Sequence, residues 1–202
     1  RERSYWLDKV PFLAKKIELA IPCSNCLEKA YYRCGLEVYD YLSGRKSIGK
    51  SKLLSKLSLN NEFPSLDTKF NGGIAYYDGQ FDDARLNLLL ALTAERAGAS
   101  LKTYCKLIGF EKSSTGLLTG VVSQNVNGNE ERWKAKTIVN ATGIYSDTVR
   151  AMAESNVESR ILTSRGSHIV TSEKLCKNNM GLLVPSTDDG RVLFVLPFFG
   201  NS

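Results

Sequence analysis

Apolar positions at intervals of three and four residues indicate helices in the first part of the chain. Gly44 is a suitable end for the longer helix, and a shorter helix is expected over residues 58–63, before Pro64. We therefore predict that residues 1–70 are mainly helical. The apolar face of the longer helix comprises Leu27, Ala30, Tyr31, Cys34, Val38 and Tyr41.

After residue 70 the spacing changes. A short apolar stretch, residues 74–77, precedes a predicted helix over residues 83–97. Asp82 or Asp83 is a suitable N-cap for that helix, and Gly98 suits the position after its end. Leucines lie nearly all round it, so we expect it to be deeply buried. They are Leu86, Leu88, Leu89, Leu90 and Leu92.

Short strands account for most of the remaining pattern, with turns at Gly116, Asn127-Gly128 and Asp189-Gly190. Residues 137–143, TIVNATG, are typical of a buried strand that runs into a glycine turn, and a helix over residues 145–154 would follow. The middle of the chain is thus predicted to be α/β and its end antiparallel. The other expected strands are 100–104, 106–112, 117–126, 131–135, 161–171, 181–185 and 191–197.

Composition is that of an ordinary globular protein, with 43% hydrophobic and 24% charged residues in 202. No apolar run approaches the roughly 18 residues that a membrane span needs. The net charge is +6, and the basic stretch over residues 45–56 could meet anionic lipid or form a solvated helix face. No nucleic-acid motif accompanies it, so nucleic acid is not an expected partner. Its cations are Arg45, Lys46, Lys50, Lys52 and Lys56.

The cysteine pattern gives no metal site. Cys23 and Cys26 form a lone CxxC without a second ligand pair, and the single histidine lies far along the chain at His168. We expect no bound metal and reduced, intracellular thiols.

Residues 44–51, GRKSIGKS, fit the phosphate-binding pattern GxxxxGK(S/T). A genuine P-loop lies between a strand and a helix, whereas the residues before this run have a helical pattern. A basic connecting loop is the competing interpretation. A nucleotide-binding P-loop module therefore remains one alternative for the function.

Two further features could carry chemistry. The turn at Ala141, Thr142 and Gly143 would let a backbone approach a flat ligand closely, because neither Ala nor Gly projects bulk. An ordinary strand-to-helix turn has the same pattern. His168 is the only side chain whose unperturbed pKa lies near neutrality, so a histidine base would have to be this residue.

The run GIAYYDGQFDDARL, residues 73–86, closely resembles the FAD-dependent glycerol-3-phosphate dehydrogenases, which pass electrons to quinone. The resemblance continues, in the family's order, through AKTIVNATG at residues 135–143, RGSHIV at 165–170 and TDDGRVLF at 187–194. It covers nearly the whole chain and includes residues 42–45, LSGR, which accounts for the P-loop-like pattern.

The resemblance implies a two-domain FAD-dependent oxidoreductase of the D-amino-acid-oxidase type, α/β with α+β character and with an antiparallel sheet in the substrate domain. It implies a helical cap or substrate-side segment at 1–70, an FAD-domain segment with a β-meander at 71–157 and substrate-domain strands at 158–202. The family's GxGxxG segment does not occur in this sequence. We therefore expect an internal piece, inactive alone, with further segments on both sides.

Site residues follow from the resemblance position by position. Leu107 matches a position whose backbone meets the adenine, and the turn from Ala141 through Thr142 to Gly143 matches the turn beside the flavin. His168 matches the active-site histidine. Arg165 is a candidate substrate ligand, although relatives carry other residue types there.

The function implied by the resemblance is oxidation of sn-glycerol 3-phosphate to dihydroxyacetone phosphate. FAD would be the cofactor, quinone the electron acceptor and His168 the base. The expected location is the mitochondrial inner membrane, or the cytoplasmic membrane in a bacterium, with peripheral membrane contact. The alternatives are an amine or amino-acid oxidase of the same fold, the P-loop module, and a non-catalytic interaction segment.

Overall fold

The computed structural model describes residues 2–44, 47–154, 156–172, 175–176 and 178–197. The chain divides into two compact units, residues 1–93 with 170–202, and residues 94–169. The helices are α1 (Glu2–Lys9), α2 (Cys26–Ser43), α3 (Lys56–Glu62), α4 (Asp83–Arg96) and α5 (Ser146–Ala153). The strands are β1 (Ala14–Pro22), β2 (Lys52–Leu54), β3 (Gly73–Phe81), β4 (Cys105–Lys112), β5 (Leu118–Asn125), β6 (Glu130–Lys134), β7 (Met180–Val184) and β8 (Leu193–Val195).

The first unit is built on a mixed sheet with the order β2-β3-β1-β7-β8. Strand β1 lies at its centre and pairs antiparallel with β3 from Ala14 opposite Phe81 to Pro22 opposite Gly73. On its other side β1 pairs in parallel with β7, and β7 pairs antiparallel with β8. The end of the chain is therefore antiparallel only within the β7–β8 hairpin.

The prediction that residues 1–70 are mainly helical is wrong at β1 and β2. The second half of β1 is buried on both faces, so its side chains form a continuous apolar run instead of an alternating pattern. Such a run does not distinguish a strand from a buried helix. Pairing with β3 and β7, which lie far along the chain, decides the outcome.

The core of the first unit lies where α3 covers the sheet. Leu59 of α3 is fully buried and packs with Ala20, Ala75 and Leu182 from three strands. A smaller cluster joins Leu86 of α4 to the other end of β1; its remaining buried members are Val10, Leu13 and Ala14. These contacts place α3 and the start of α4 on the sheet.

The predicted helix ends are confirmed by their hydrogen bonds. Gly44 follows α2 with φ +53° and donates its N–H to the carbonyl of Tyr41. The Asp82 side chain accepts from the N–H of Arg85 at 3.0 Å and caps α4. At the other end Gly98 has φ +95°, and the N–H of Ala99 reaches the carbonyl of Ala94 at 2.9 Å, which is a Schellman motif.

The predicted burial of α4 is wrong. Only Leu86 is buried, whereas Leu88, Leu90 and Leu92 are 60%, 43% and 45% exposed. The helix packs against this cluster along a narrow stripe that includes Leu89. An apolar residue on another face of the helix is buried only if another helix or strand covers that face.

The second unit contains an antiparallel meander with the order β4-β5-β6. The predicted turns at Gly116 and Gly128 are confirmed, with φ +82° at both. The expected strand at 100–104 is absent, and the first strand of the meander, β4, begins at Cys105. Helix α5 packs against β4. Strand β3 belongs to the first unit and pairs with β1 along its whole length.

Two predicted strands do not form. Residues 137–141 and 161–171 have no ladder partner in the described parts of the chain, and Val139 is 82% and Leu162 99% exposed. A strand is stabilised only when a neighbouring strand pairs its N–H and C=O groups, so an apolar sequence alone does not produce one. Across the described residues, no helix has the length and hydrophobicity of a membrane span.

Candidate functional site

The turn at residues 140–146 is organised by the side chain of Asn140. Its Oδ1 accepts from the hydroxyl of Thr142 at 2.7 Å and from the Thr142 N–H at 3.3 Å, and its Nδ2 donates to the carbonyl of Ser146 at 3.0 Å. Gly143 has φ +57°, a conformation that favours glycine, and a Cβ there would meet nothing within 4 Å. The predicted turn is therefore formed, with open space beside its backbone.

Leu107 lies on β4, an edge strand of the meander. It pairs with Ser123, and the register then shifts so that Gly109 faces Val122, which leaves Ile108 as a bulged residue. The hydroxyl of Ser123 is buried and accepts from the indole N–H of Trp133 at 3.0 Å. An edge strand with a bulge presents backbone N–H and C=O groups that a ligand can pair with.

The turn and Leu107 belong to the same unit and are linked through α5. This helix begins at Ser146, directly after the turn, and packs against β4. A glycine turn with open space and an edge strand with available backbone groups fit a flat, extended cofactor such as FAD. The roles of Ala141, Thr142, Gly143 and Leu107 in holding a cofactor stay predictions.

Asp147, in the first turn of α5, has an unusually rich set of partners. Its Oδ2 accepts from the hydroxyl of Ser159 at 2.7 Å and from the N–H groups of Arg160 and Ile161 at 2.8 and 2.9 Å. Its Oδ1 accepts from Arg150 at 2.7 Å. The Ser159 hydroxyl, the two N–H groups and the Arg150 guanidinium together hold the pKa of Asp147 well below its usual range.

His168 and Arg165 lie in an exposed segment without regular secondary structure. Neither makes a hydrogen bond or an ion pair with another described residue. The structure therefore places both residues in the same unit as the turn and Leu107, but it does not bring either side chain into contact with them. Their roles stay predictions.

The P-loop-like run does not have P-loop geometry. It follows helix α2 and precedes strand β2, the reverse of the strand–loop–helix order that a P-loop requires. The hydroxyl and the N–H of Ser51 both donate to Asp40 Oδ2 at 2.8 Å. The Asp40 carboxylate therefore occupies the N–H and the hydroxyl of Ser51, the groups that a P-loop would direct to phosphate and magnesium. The nucleotide-binding alternative is therefore wrong; Arg45 and Lys46 themselves lie outside the described residues.

Gly49 of that run has a packing role instead. A Cβ at this position would clash with Cδ2 of Tyr77. The ammonium group of Lys16 lies 3.8 Å from the centre of the same ring. The glycine that completes the GK(S/T) pattern thus makes room for the Tyr77 ring.

No metal site is evident in the parts of the chain that the structure covers, where no three His, Cys, Asp or Glu side chains are grouped suitably. The five cysteines are free thiols. Burial raises the pKa of Cys23 to about 11, so this member of the CxxC pair is protonated at neutral pH.

Comparison with known protein families places these features in one class. Residues 25–202 match the family described as FAD dependent oxidoreductase. The chain belongs to this family. The α/β architecture and the glycine turn of this FAD-dependent oxidoreductase chain agree with the fold expected from the sequence.

The oxidoreductase is similar in sequence to mitochondrial glycerol-3-phosphate dehydrogenases. It is 38% identical to that of Rattus norvegicus over 98% of this chain and 28% of the relative. It is 33% identical to that of Arabidopsis thaliana over 100% of this chain and 33% of the relative. The chain thus spans about a third of the length of these relatives.

Solved structures share the fold. The glycerol-3-phosphate dehydrogenase of Bacillus halodurans, complexed with FAD, matches with a TM-score of 0.67 at 21% identity, over 98% of this chain and 35% of that one. The L-proline dehydrogenase of P. horikoshii matches with a TM-score of 0.60 at 19% identity, over 78% of this chain and 41% of that one. At such identities the likeness concerns the fold alone.

Sequence reasoning missed Asn140 and Asp147 in this oxidoreductase. The sequence pattern assigns Asn140 to the strand and gives it no part in the turn, although Asn commonly forms local bonds to the backbone two residues on. Asp147 had a weak signal as an acid in the first turn of a predicted helix. Its bonds to residues 159–161 form only because the chain folds back towards α5 after that helix, which no local sequence pattern predicts.

Proposed function

We propose that the protein oxidises sn-glycerol 3-phosphate to dihydroxyacetone phosphate with FAD as its cofactor. The observation that carries this proposal is the 38% identity to a mitochondrial glycerol-3-phosphate dehydrogenase across 98% of the chain. The exposed glycine turn at 140–143 supports it, because the open space at Gly143 suits a flat ring system.

FAD, when bound, would supply the hydride acceptor for the middle carbon of the substrate, and quinone would be the final electron acceptor. Ala141, Thr142 and Gly143 would hold the ring side of the cofactor, and the backbone of Leu107 would meet the adenine. His168 takes the proton of the middle-carbon hydroxyl on a ring nitrogen as the carbonyl group forms. Arg165 supplies positive charge towards the substrate phosphate.

The quinone acceptor implies contact with a membrane, because quinone is dissolved in the lipid. We infer peripheral contact through the basic stretch over residues 45–56, supported by the net charge of +6. The relatives are named as mitochondrial, which supports the mitochondrial inner membrane as the location. Cosedimentation with anionic vesicles tests this contact.

Visible absorbance of the full-length protein tests the reaction. We expect a flavin spectrum that bleaches anaerobically when glycerol 3-phosphate is added, and that recovers with a soluble quinone. A protein without flavin absorbance would contradict the cofactor assignment. Flavin that stays oxidised with glycerol 3-phosphate would contradict the substrate.

An amino-acid or amine oxidase is the second candidate, because the L-proline dehydrogenase and an L-amino acid deaminase share the fold with TM-scores of 0.60 and 0.58. The same absorbance experiment with L-proline, glycine and other small amino acids separates the two. Bleaching by an amino acid and not by glycerol 3-phosphate would favour this candidate.

A further inference from the structure

The segment that carries Arg165 and His168 is attached to its unit through few bonds. Residues 157–168, here called the arm, form no helix or strand, and residues 158–168 are exposed. The hydrogen bonds that join the arm to the described residues of the unit reach α5. Asp147 makes three of them, and Arg150 donates the fourth to the carbonyl of Glu158 at 3.3 Å.

The bonds of Asp147 fix the backbone of the arm and not only a side chain. Two successive N–H groups, those of Arg160 and Ile161, point at the same carboxylate oxygen. Hydrogen bonds to an ionised acceptor are stronger than those between neutral groups. Arg150 meanwhile pairs with the other oxygen and keeps the carboxylate oriented.

The first turn of α5 is also bonded to the glycine turn at residues 140–143, here called the flavin-side turn because it is predicted to lie beside the flavin. Asn140 holds Thr142 and reaches the carbonyl of Ser146, the residue immediately before Asp147. One connected set of hydrogen bonds therefore joins Asn140, the first turn of α5 and the start of the arm. Arg165 and His168 lie four and seven residues beyond Ile161, so the anchor sets how much of the arm is free to move.

We propose that Asp147 is a positioning residue, whose carboxylate ties the arm that carries Arg165 and His168 to the helix that follows the flavin-side turn. This inference rests on the proposed function, since it concerns the placement of the base and of the phosphate ligand. The bonding partners of the Asp147 carboxylate belong to α5 and to the arm. Without its carboxylate, the arm samples many positions, and the fraction of time in which His168 is correctly placed falls.

The test uses the full-length flavoprotein with Asp147→Asn, Asp147→Ala and Asp147→Glu. The matched control is Asp189→Ala. Asp189 also accepts bonds from its own loop, from Thr187 and from Arg191 at 2.7 Å, but it lies in the β7–β8 hairpin of the first unit. Three quantities are measured: hydrogen exchange of the amides at 160 and 161, flavin absorbance, and kcat and KM per bound flavin.

We expect Asp147→Ala to exchange the two amides at least about tenfold faster and to keep its flavin, while kcat/KM per bound flavin falls by about tenfold or more. Asp147→Asn should show a smaller loss in the same direction, Asp147→Glu should recover part of it, and Asp189→Ala should match the wild type. A purely structural role would lower the yield of flavoprotein but leave turnover per flavin unchanged.

Two results would overturn the proposal. One is wild-type turnover per flavin in Asp147→Ala, and the other is unchanged exchange at 160 and 161. Failure of the proposed function looks different, because wild-type protein itself would then not be reduced by glycerol 3-phosphate. That outcome would overturn the positioning role for this reaction as well.

Discussion

At the scale of single residues, several positions that suggest catalysis in the sequence serve packing or local bonding. Gly49 and Ser51 complete a phosphate-binding pattern, yet Gly49 makes room for Tyr77 and Ser51 donates to Asp40. Asp147 drew no attention in the sequence and is bonded through both of its carboxylate oxygens. The role of a residue thus depends on which atoms the fold brings to it.

The close packing of Gly49 against Tyr77 predicts that alanine changes the free energy of unfolding in opposite directions at Gly49 and at Gly35. Gly49→Ala should lower the free energy of unfolding by about 1–3 kcal/mol, because the new methyl group displaces the Tyr77 ring. Gly35→Ala, inside α2 where a Cβ meets nothing within 4 Å, should raise it by about 0.5–1 kcal/mol. Urea denaturation of both variants measures this. A Gly49→Ala protein as stable as wild type would refute the packing role.

His168 gives the prediction that belongs to catalysis. His168→Ala in the full-length protein should reduce kcat by about 10²–10⁴-fold, the usual contribution of a general base, with flavin still bound. The measurement is steady-state oxidation of glycerol 3-phosphate per bound flavin. The neighbouring exposed residue supplies a control, and Ser167→Ala should keep wild-type turnover. Full activity in His168→Ala would exclude its role as the base.

At the scale of elements, helices with local end signals were predicted well and strands less so. Gly44, Asp82 and Gly98 define helix ends through bonds to residues at most five positions away, which the local sequence contains. The meander and the Asp189-Gly190 hairpin were also found, because their turns are short. Strand β1 was missed, since its partners are distant in sequence.

Helix α3 shows how one element is stabilised by a single face. Leu59 is fully buried and should cost about 2–5 kcal/mol of unfolding free energy when changed to Ala, because the cavity lies within a packed core. Leu57, two residues earlier on the same helix, is 72% exposed, and Leu57→Ala should change stability by less than about 0.5 kcal/mol. Thermal or urea unfolding of the pair measures this. Equal losses of stability in the two variants would show that α3 does not pack on the sheet through Leu59.

At the scale of the whole molecule, net charge is the property that can be counted directly from the sequence. Lys and Arg total 27 against 21 Asp and Glu, which gives the net charge of +6. In the basic stretch Lys52 pairs with Glu18 at 2.6 Å and Lys56 reaches the carbonyl of Thr68 at 3.3 Å, whereas Lys50 lines an open groove beside Arg33. The proposed membrane contact therefore depends most on Lys50 and its neighbours in sequence.

Vesicle binding provides the prediction at this scale. The full-length protein should cosediment with vesicles that contain anionic phospholipid and dissociate at roughly 0.5 M salt, where exposed charges are screened. Lys46→Ala combined with Lys50→Ala should weaken binding, whereas Lys112→Ala combined with Lys134→Ala, which removes the same charge elsewhere, should not. Equal loss in both double variants would indicate attraction by net charge without a defined contact.

The sequence by itself determined the class of protein, the helix ends, the short turns and the residues at which to look for chemistry. Each of these depends on residues close together in the chain, or on motifs in a fixed order. Only the tertiary structure decided that β1 is a central strand, that residues 137–141 form no strand and that Gly49 of the P-loop-like run packs against Tyr77. Those outcomes depend on pairing between distant segments, because backbone groups and apolar faces are satisfied by partners that no local pattern specifies.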